Sequence, residues 1–214
     1  MSRIVVFGAG GNAGRRAVAE AVARGHRVTA VVRDAAKYRE LEREGVTLVE
    51  GDVTAADAVA AVAAGHDAVI STVFRADVAP ADFYGEVSRA LVAGLAAAGV
   101  DRLVAVGVGT ALETAPGVAV HDSPEFPEAY RQFSIGHSVE NEIYRASELD
   151  WVVVTPPPAV LDADAERTGE YRVGGPGVLP AEENAPAFSY ADLAVALVDT
   201  ATGGDHHREV IAVG

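Results

Sequence analysis

Residues Ile4–Gly14 read IVVFGAGGNAG, and the fold is decided there. The apolar run Ile4-Val5-Val6-Phe7 stops at Gly8. Gly11 and Gly14 follow at three-residue spacing with Gly10 between them, and the helix-forming stretch Arg15–Glu20 comes next. A buried strand, a tight turn and a helix N-terminus are implied. Glycine permits φ > 0 in such a turn and lets bare backbone amides approach a pyrophosphate, which the helix dipole also attracts. A glycine triplet alone recurs by chance in many loops; the strand before it and the helix after it make this one specific. Gly8, Gly11, Asn12, Ala13 and Gly14 are therefore the first candidate cofactor-binding residues.

Working outward, the 214 residues suggest one domain with room for a substantial core. No run approaches the roughly 18 apolar residues of a membrane span, and the chain enters its first strand without a basic, apolar signal region. Cysteine is absent, which excludes thiol catalysis and disulfides and makes a cytoplasmic location the expectation. The net charge of −14 argues against nucleic acid as a partner and reads as a well-solvated surface. No convincing metal-ligand spacing occurs, and His206-His207 reads as solvated. Sixteen arginines stand beside a single lysine, Lys37, so any mechanism that needs a lysine must use that one.

The second strand, Val28–Val32, ends at Arg33-Asp34, where a dinucleotide-binding sheet meets the adenosine ribose. An acidic residue there binds the 2′-hydroxyl of NAD, whereas arginine favours the 2′-phosphate of NADP. Arg33 offers a planar fork and Lys37, one helical turn on, a point charge. NADPH is therefore expected over NADH; the plain alternative is an exposed arginine beside Asp34. After the third strand, Val46–Glu50, Asp52 is placed to accept from the adenine amine and Val53 to pack on the ring. Alternatively Asp52 or Thr54 caps the next helix, with Thr54 and Asp57 forming a capping box.

That helix runs to Ala64, and the fourth strand, Ala68–Thr72, brings Ser71, Thr72, Val73 and Phe74 to the carboxyl edge beside the cofactor. A helix over about 81–98 stops at Gly99. The fifth strand, Arg102–Val106, ends in Gly107-Val108-Gly109-Thr110. Residues 111–127 read as irregular, a substrate cover rather than a linker. A helix over about 128–148 precedes the sixth strand, Trp151–Thr155, with Trp151 as core packing and Pro156–Pro158 after it. Residues 159–186 form a second irregular segment, so covering loops are expected at about 110–128 and 158–187. Ser189–Asp192 reads as a capping box for a last helix to about Thr202, and Arg208–Val213 as a closing strand. Strand and helix alternate throughout, which gives a doubly wound parallel sheet, an α/β Rossmann fold in a single domain. Its ligands belong at the carboxyl edge where strand order reverses.

Three further stretches, Arg102–Pro116, Arg145–Pro157 and Ser189–Val198, join GAGGNAG and Val31-Val32-Arg33-Asp34 in a family likeness. Together they resemble the atypical short-chain dehydrogenase/reductases of the NADH-flavin reductase group, related to biliverdin reductase B-type flavin reductases and to NmrA-like proteins. The resemblance covers essentially the whole chain and implies NAD(P) binding, with Gly107, Val108, Gly109, Pro156 and His137 against the cofactor. It also exposes a departure. The tyrosine and lysine that ordinary members space four apart fall here on Phe133 and His137, and the serine after strand five is replaced by Thr110 as the nearest hydroxyl. Carbonyl–alcohol chemistry, and nucleotide-sugar epimerisation with it, loses its usual acid. Hydride transfer to an electron-poor planar acceptor needs alignment more than an acid. His137 is then a candidate to hold the ribose or supply a proton, or a helix histidine satisfied by core or solvent. Tyr130, seven residues earlier on the same helical face, is a displaced acid or a lid-packing tyrosine. Phe74, Phe126, Phe133 and Thr110 would line a flat substrate.

Three functions follow as expectations: an NADPH-dependent reductase of a flavin, quinone or similar conjugated small molecule; an NmrA-like NADP-binding sensor without turnover; or a specialised biosynthetic reductase or isomerase using Tyr130 or His137. A monomer is expected over a homodimer, since the atypical members are often monomers.

Overall fold

Alternation along the first strand puts Ile4 and Val6 into one hydrophobic cluster and Val5 and Phe7 into another, so the strand is buried on both faces. The computed structural model describes residues 1–181 and 187–214; the part of the second covering loop at 182–186 lies outside the described residues. The principal strands are β1 (Arg3–Phe7), β2 (Arg27–Val32), β3 (Val46–Glu50), β4 (Ala68–Ser71) and β5 (Arg102–Val106). A small hairpin, β6 (Glu113–Ala115) and β7 (Val118–Ala119), follows; β8 (Asp150–Thr155), β9 (Val173–Gly174) and β10 (Glu209–Val213) complete the set. The main sheet runs β3-β2-β1-β4-β5-β8-β10-β9, parallel except for the edge strand β9. Its order reverses between β1 and β4, where Phe7 pairs with Val31 on one side and Ser71 on the other. This is the doubly wound Rossmann architecture that the alternation of elements implied.

Helices α1 (Asn12–Ala23) and α5 (Tyr190–Thr202) cover one face through Ala17, Val18, Ala21, Leu193 and Leu197. Helices α2 (Ala56–Ala63), α3 (Pro80–Ala98) and α4 (Glu128–Arg145) cover the other through Val59, Phe83, Val87, Leu91 and Tyr144. Trp151 is buried beside Tyr144, ring centroids 6.3 Å apart, as core packing requires. Among the described residues no helix is long and apolar enough to cross a membrane.

Several ends differ from the sequence expectation, each for a local reason. Helix α1 starts at Asn12, three residues early, with Gly11 as its N-cap. The Thr54–Asp57 capping box is not formed: Ala55 is the N-cap of α2, and Thr54 instead donates its amide (2.9 Å) and hydroxyl (2.7 Å) to Asp52 Oδ1. Helix α4 stops at Arg145, where the Ser147 amide and hydroxyl both turn back to Tyr144 O (3.0 and 2.8 Å). At α5 only half of the expected box appears. Ser189 Oγ accepts from the Asp192 amide (2.9 Å), but Asp192 Oδ1 is taken by the amides of Thr168 (2.9 Å) and Gly169 (2.7 Å).

That last contact shows where much of the second irregular segment runs. Arg16 donates to Ala163 O, Arg167 forks onto Glu20 (3.1 and 3.0 Å), and the Tyr171 hydroxyl donates to Asp199 (2.9 Å). Residues 163–171 are thus a strap laid along α1 and α5. The first irregular segment is ordered too. Beyond its hairpin, the Arg131 guanidinium reaches from α4 to the carbonyls of His121, Ser123 and Phe126.

Candidate functional site

Between the ends of β1, β2 and β4 lies a cleft of about 480 Å³, floored by the glycine turn. Gly8 sits at φ +78°, and a β-carbon on it would lie 2.7 Å from Thr72 O. A β-carbon on Gly14 would strike Gly8 O, and one on Gly10 would strike the Tyr38 ring. No side chain caps α1, so the first-turn amides of Asn12, Ala13 and Gly14 face the turn without intrahelical acceptors. Bare backbone, an uncapped helix N-terminus and no room for side chains suit a pyrophosphate. The residues present fit a dinucleotide.

Of the candidates named from sequence, Gly8, Gly11, Arg33, Lys37, Asp52, Val53, Thr72, Val73 and Phe74 line this one cleft. Arg33 is exposed and makes no hydrogen bond or ion pair among the described residues. Lys37 reaches Asp34 at 3.6 Å. The hydroxyl and amide of Thr54 hold the Asp52 carboxyl below its usual range, with smaller contributions from Arg75 and Arg33, and burial opposes them. Ser71 is buried at the end of β4. Two participants were missed. Tyr38 backs Gly10, and Arg75, one residue past Phe74, lines the cleft while paired to Asp77. Arg75 carried a readable signal, a cation just beyond a strand end at the switch point; Tyr38 carried none, because its meeting with Gly10 is a tertiary contact.

The remaining candidates lie further along the carboxyl edge. A β-carbon on Gly107 would strike the Thr155 hydroxyl, and one on Gly109 the backbone of Pro156–Pro158, so the loops after β5 and β8 pack directly together. Val108 joins them as the residue before the short turn at Gly109–Ala111. The Thr110 hydroxyl is hydrogen-bonded to that of Ser134, which is fully buried on α4, and Thr110 O accepts from His121 Nδ1 at 3.0 Å. Phe74, 60% exposed, meets Phe133 edge-on at 5.7 Å. Phe126 stands apart from that pair, under the Arg131 guanidinium at 5.6 Å. Tyr130 is 65% exposed on the first turn of α4, so it packs under no lid among the described residues.

His137 is only 4% exposed. Its ring lies against Tyr84 (4.0 Å) and edge-on to Phe133 (4.9 Å), and its Nδ1 is 2.9 Å from Glu140 Oε1. Tyr84 and Glu140 were not singled out from the sequence; α3 supplies one and the next turn of α4 the other. A larger hollow, about 710 Å³ around Arg3, His26 and His66, opens at the amino ends of the strands, away from the glycine turn. The smaller cleft is the candidate site, because the glycine turn before the uncapped α1 floors it and Arg33, Lys37 and Arg75 line it.

A family model described as NAD(P)H-binding matches residues 8–202. The uncharacterised protein YwnB of Bacillus subtilis is 32% identical over 215 aligned residues, covering 99% of this chain and 97% of its own. Among solved structures, a protein from Burkholderia pseudomallei provisionally called exported is 33% identical, with both chains covered completely and a TM-score of 0.87. One from Bacteroides thetaiotaomicron provisionally called an epimerase is 31% identical, covers 100% of this chain and 96% of its own, and has a TM-score of 0.86. One from Streptococcus pneumoniae provisionally called an NADH-flavin reductase is 29% identical, covers 100% and 99%, and has a TM-score of 0.83.

Proposed function

The chain belongs to the NAD(P)H-binding family, and on that premise we propose that it is an NADPH-dependent oxidoreductase passing hydride to a flavin, quinone or similarly conjugated acceptor. The observation that carries the reading is one continuous cleft with two chemically different ends. At one end Arg33 has no partner of its own among the described residues and Lys37 lines the same wall; at the other, Phe74 stands 60% exposed with the partly buried Phe133 edge-on to it. The name given to the Streptococcus pneumoniae relative points the same way.

In this reading the amides of Asn12, Ala13 and Gly14 hold the pyrophosphate, and Arg33 and Lys37 take the 2′-phosphate. Asp52 and Val53 meet the adenine. Ser71, Thr72 and Val73, with Gly107, Val108, Gly109 and Pro156, line the path toward the nicotinamide. When bound, the nicotinamide supplies the hydride. Phe74 and Phe133 offer a flat acceptor a stacking surface that aligns it and excludes water from one side. Thr110 and Tyr130 are polar contacts for the acceptor rather than acids, since the Thr110 hydroxyl already meets Ser134 and Tyr130 stands in solvent. His137, or water, supplies the proton that accompanies the hydride. The protein works as a monomer on a small molecule.

The test follows nicotinamide absorbance with purified protein, comparing NADPH and NADH against FMN and a simple quinone. Repeated turnovers preferring NADPH support the proposal. Tight NADPH binding without oxidation by either acceptor overturns the reductase and leaves a sensor or a dedicated biosynthetic enzyme.

A further inference from the structure

Between α3 and α4 the structure buries a carboxylate for which packing alone has no use. Glu140 is 3% exposed, and its one hydrogen-bond partner among the described residues is His137 Nδ1 at 2.9 Å. Two phenols stand near it without donating to it. The Tyr84 hydroxyl points to Val73 O at 3.5 Å, and the Tyr144 hydroxyl has no hydrogen-bond partner within normal geometry among the described residues. Burial pushes both phenols up, and the negative charge of Glu140 adds to this in each case. An apolar residue at 140 would fill the same space without the desolvation cost of a buried charge.

The histidine it serves is held from every side. Tyr84 lies over the ring, Phe133 meets its edge, and Glu140 takes one nitrogen. An ionised carboxylate only accepts, so Nδ1 must donate, and Nε2 is left as the exchangeable nitrogen. Glu140, on Nδ1, lies one turn toward the C-terminus of α4, and Phe133, edge-on to the ring, lies one turn toward its N-terminal end. That end reaches the carboxyl edge of the sheet. Phe133 links the ring to Phe74, and Tyr84 links it to Val73; both Val73 and Phe74 line the cleft.

The geometry points to Glu140 as a positioning residue that locks His137 with Nδ1 protonated and turns Nε2 toward the acceptor end of the cleft. This rests on the reductase reading. Hydride carries two electrons and one hydrogen to the acceptor, leaving an anion on the reduced ring. From the imidazolium, protonated at both nitrogens, the Nε2–H bond then breaks and its proton passes to that anion, leaving the neutral Nδ1–H ring, to which solvent returns a proton at Nε2. Glu140 stays hydrogen-bonded to Nδ1–H throughout and steadies the imidazolium.

The test uses the full-length protein labelled with ¹⁵N at histidine. In the wild type, NMR should show His137 protonated at Nδ1, and addition of NADP⁺ should move its Nε2 resonance. Glu140→Gln keeps an acceptor carbonyl and should keep that tautomer, whereas Glu140→Leu should release it. In turnover, Glu140→Leu should lower kcat about tenfold or more while the Kd for NADPH changes less than about twofold. Glu140→Gln should recover most of that loss. His137→Gln and the double variant His137→Gln/Glu140→Leu should be equally slow, because Glu140 acts only through His137. A wild-type His137 protonated at Nε2 alone, an Nε2 resonance indifferent to NADP⁺, or additive losses in the double variant would overturn the assignment. If no acceptor turns over, the reductase reading falls by itself, and the tautomer and its response to NADP⁺ still decide the role of Glu140.

Discussion

Through the middle of α1 and α5 the sheet is covered by Ala17, Val18, Ala21, Leu193, Leu197 and Val198, all buried and all apolar. Between α3 and α4 the buried side chains include Ser88, Ser134, His137, Glu140 and Asn141. Asn141 Oδ1 and the Tyr144 hydroxyl, in this second layer, are buried without a hydrogen-bond partner among the described residues. Each such group costs about 1–3 kcal/mol. Away from the ends of α5, where Ser189, Asp192 and Thr200 are buried, the first layer therefore holds the fold by apolar contact, and the second gives up stability to keep polar groups between two helices. Buried polarity of this kind concentrates where a protein works.

The comparison can be broken most sharply at His137. His137→Leu strands Glu140 without a partner and should cost about 3–5 kcal/mol of stability, whereas His137→Leu/Glu140→Leu should return to about the wild-type value or above it. Urea denaturation of both variants measures this; a double variant no more stable than the single would mean that the polar layer is structural after all. In the apolar layer, Leu197→Ala should cost about 2–5 kcal/mol while leaving NADPH affinity unchanged. A loss of affinity there would erase the division of labour between the layers. At the cleft, Arg33→Ala should weaken NADPH binding about 10- to 100-fold, as expected for a charged hydrogen-bonded contact, and leave NADH nearly untouched. Equal losses for the two cofactors would remove the 2′-phosphate from Arg33.

The smallest effect is expected at Asp77. Hydrogen bonding from Arg75 holds its carboxyl at about 2, below the ordinary 3.8. A lowered carboxyl stabilises the folded state above its unfolded value, and that contribution disappears as pH falls from 3.8 to about 2. Asp77→Asn should therefore flatten the acid limb of the melting curve in that window only. Because the pair is solvent-exposed, thermal melting near neutral pH should barely change.

The glycine-turn half of the candidate site was legible from sequence because it is made of consecutive backbone. Gly8, Gly10 and Gly14 report their own constraint, and Arg33 follows a strand end that hydrophobic periodicity marks by itself. The aromatic half, around Phe74 and His137, was legible only in part. Phe74 and His137 were named, but Tyr84, Ser134 and Glu140 were not. A buried glutamate on an amphipathic helix looks like a solvated one until the neighbouring helix is in place. The strap at 163–171 escaped for the same reason. Nothing in its own residues shows that Arg167 will meet Glu20, or that Asp192 will hold two amides more than twenty residues away.

Read by itself, the chain determined the alternation of strand and helix and the glycine cradle, because each depends on residues within a few positions of one another. Tertiary structure alone decided which polar side chains were buried together, because burial depends on the packing of α3 against α4, segments whose approach no local pattern encodes.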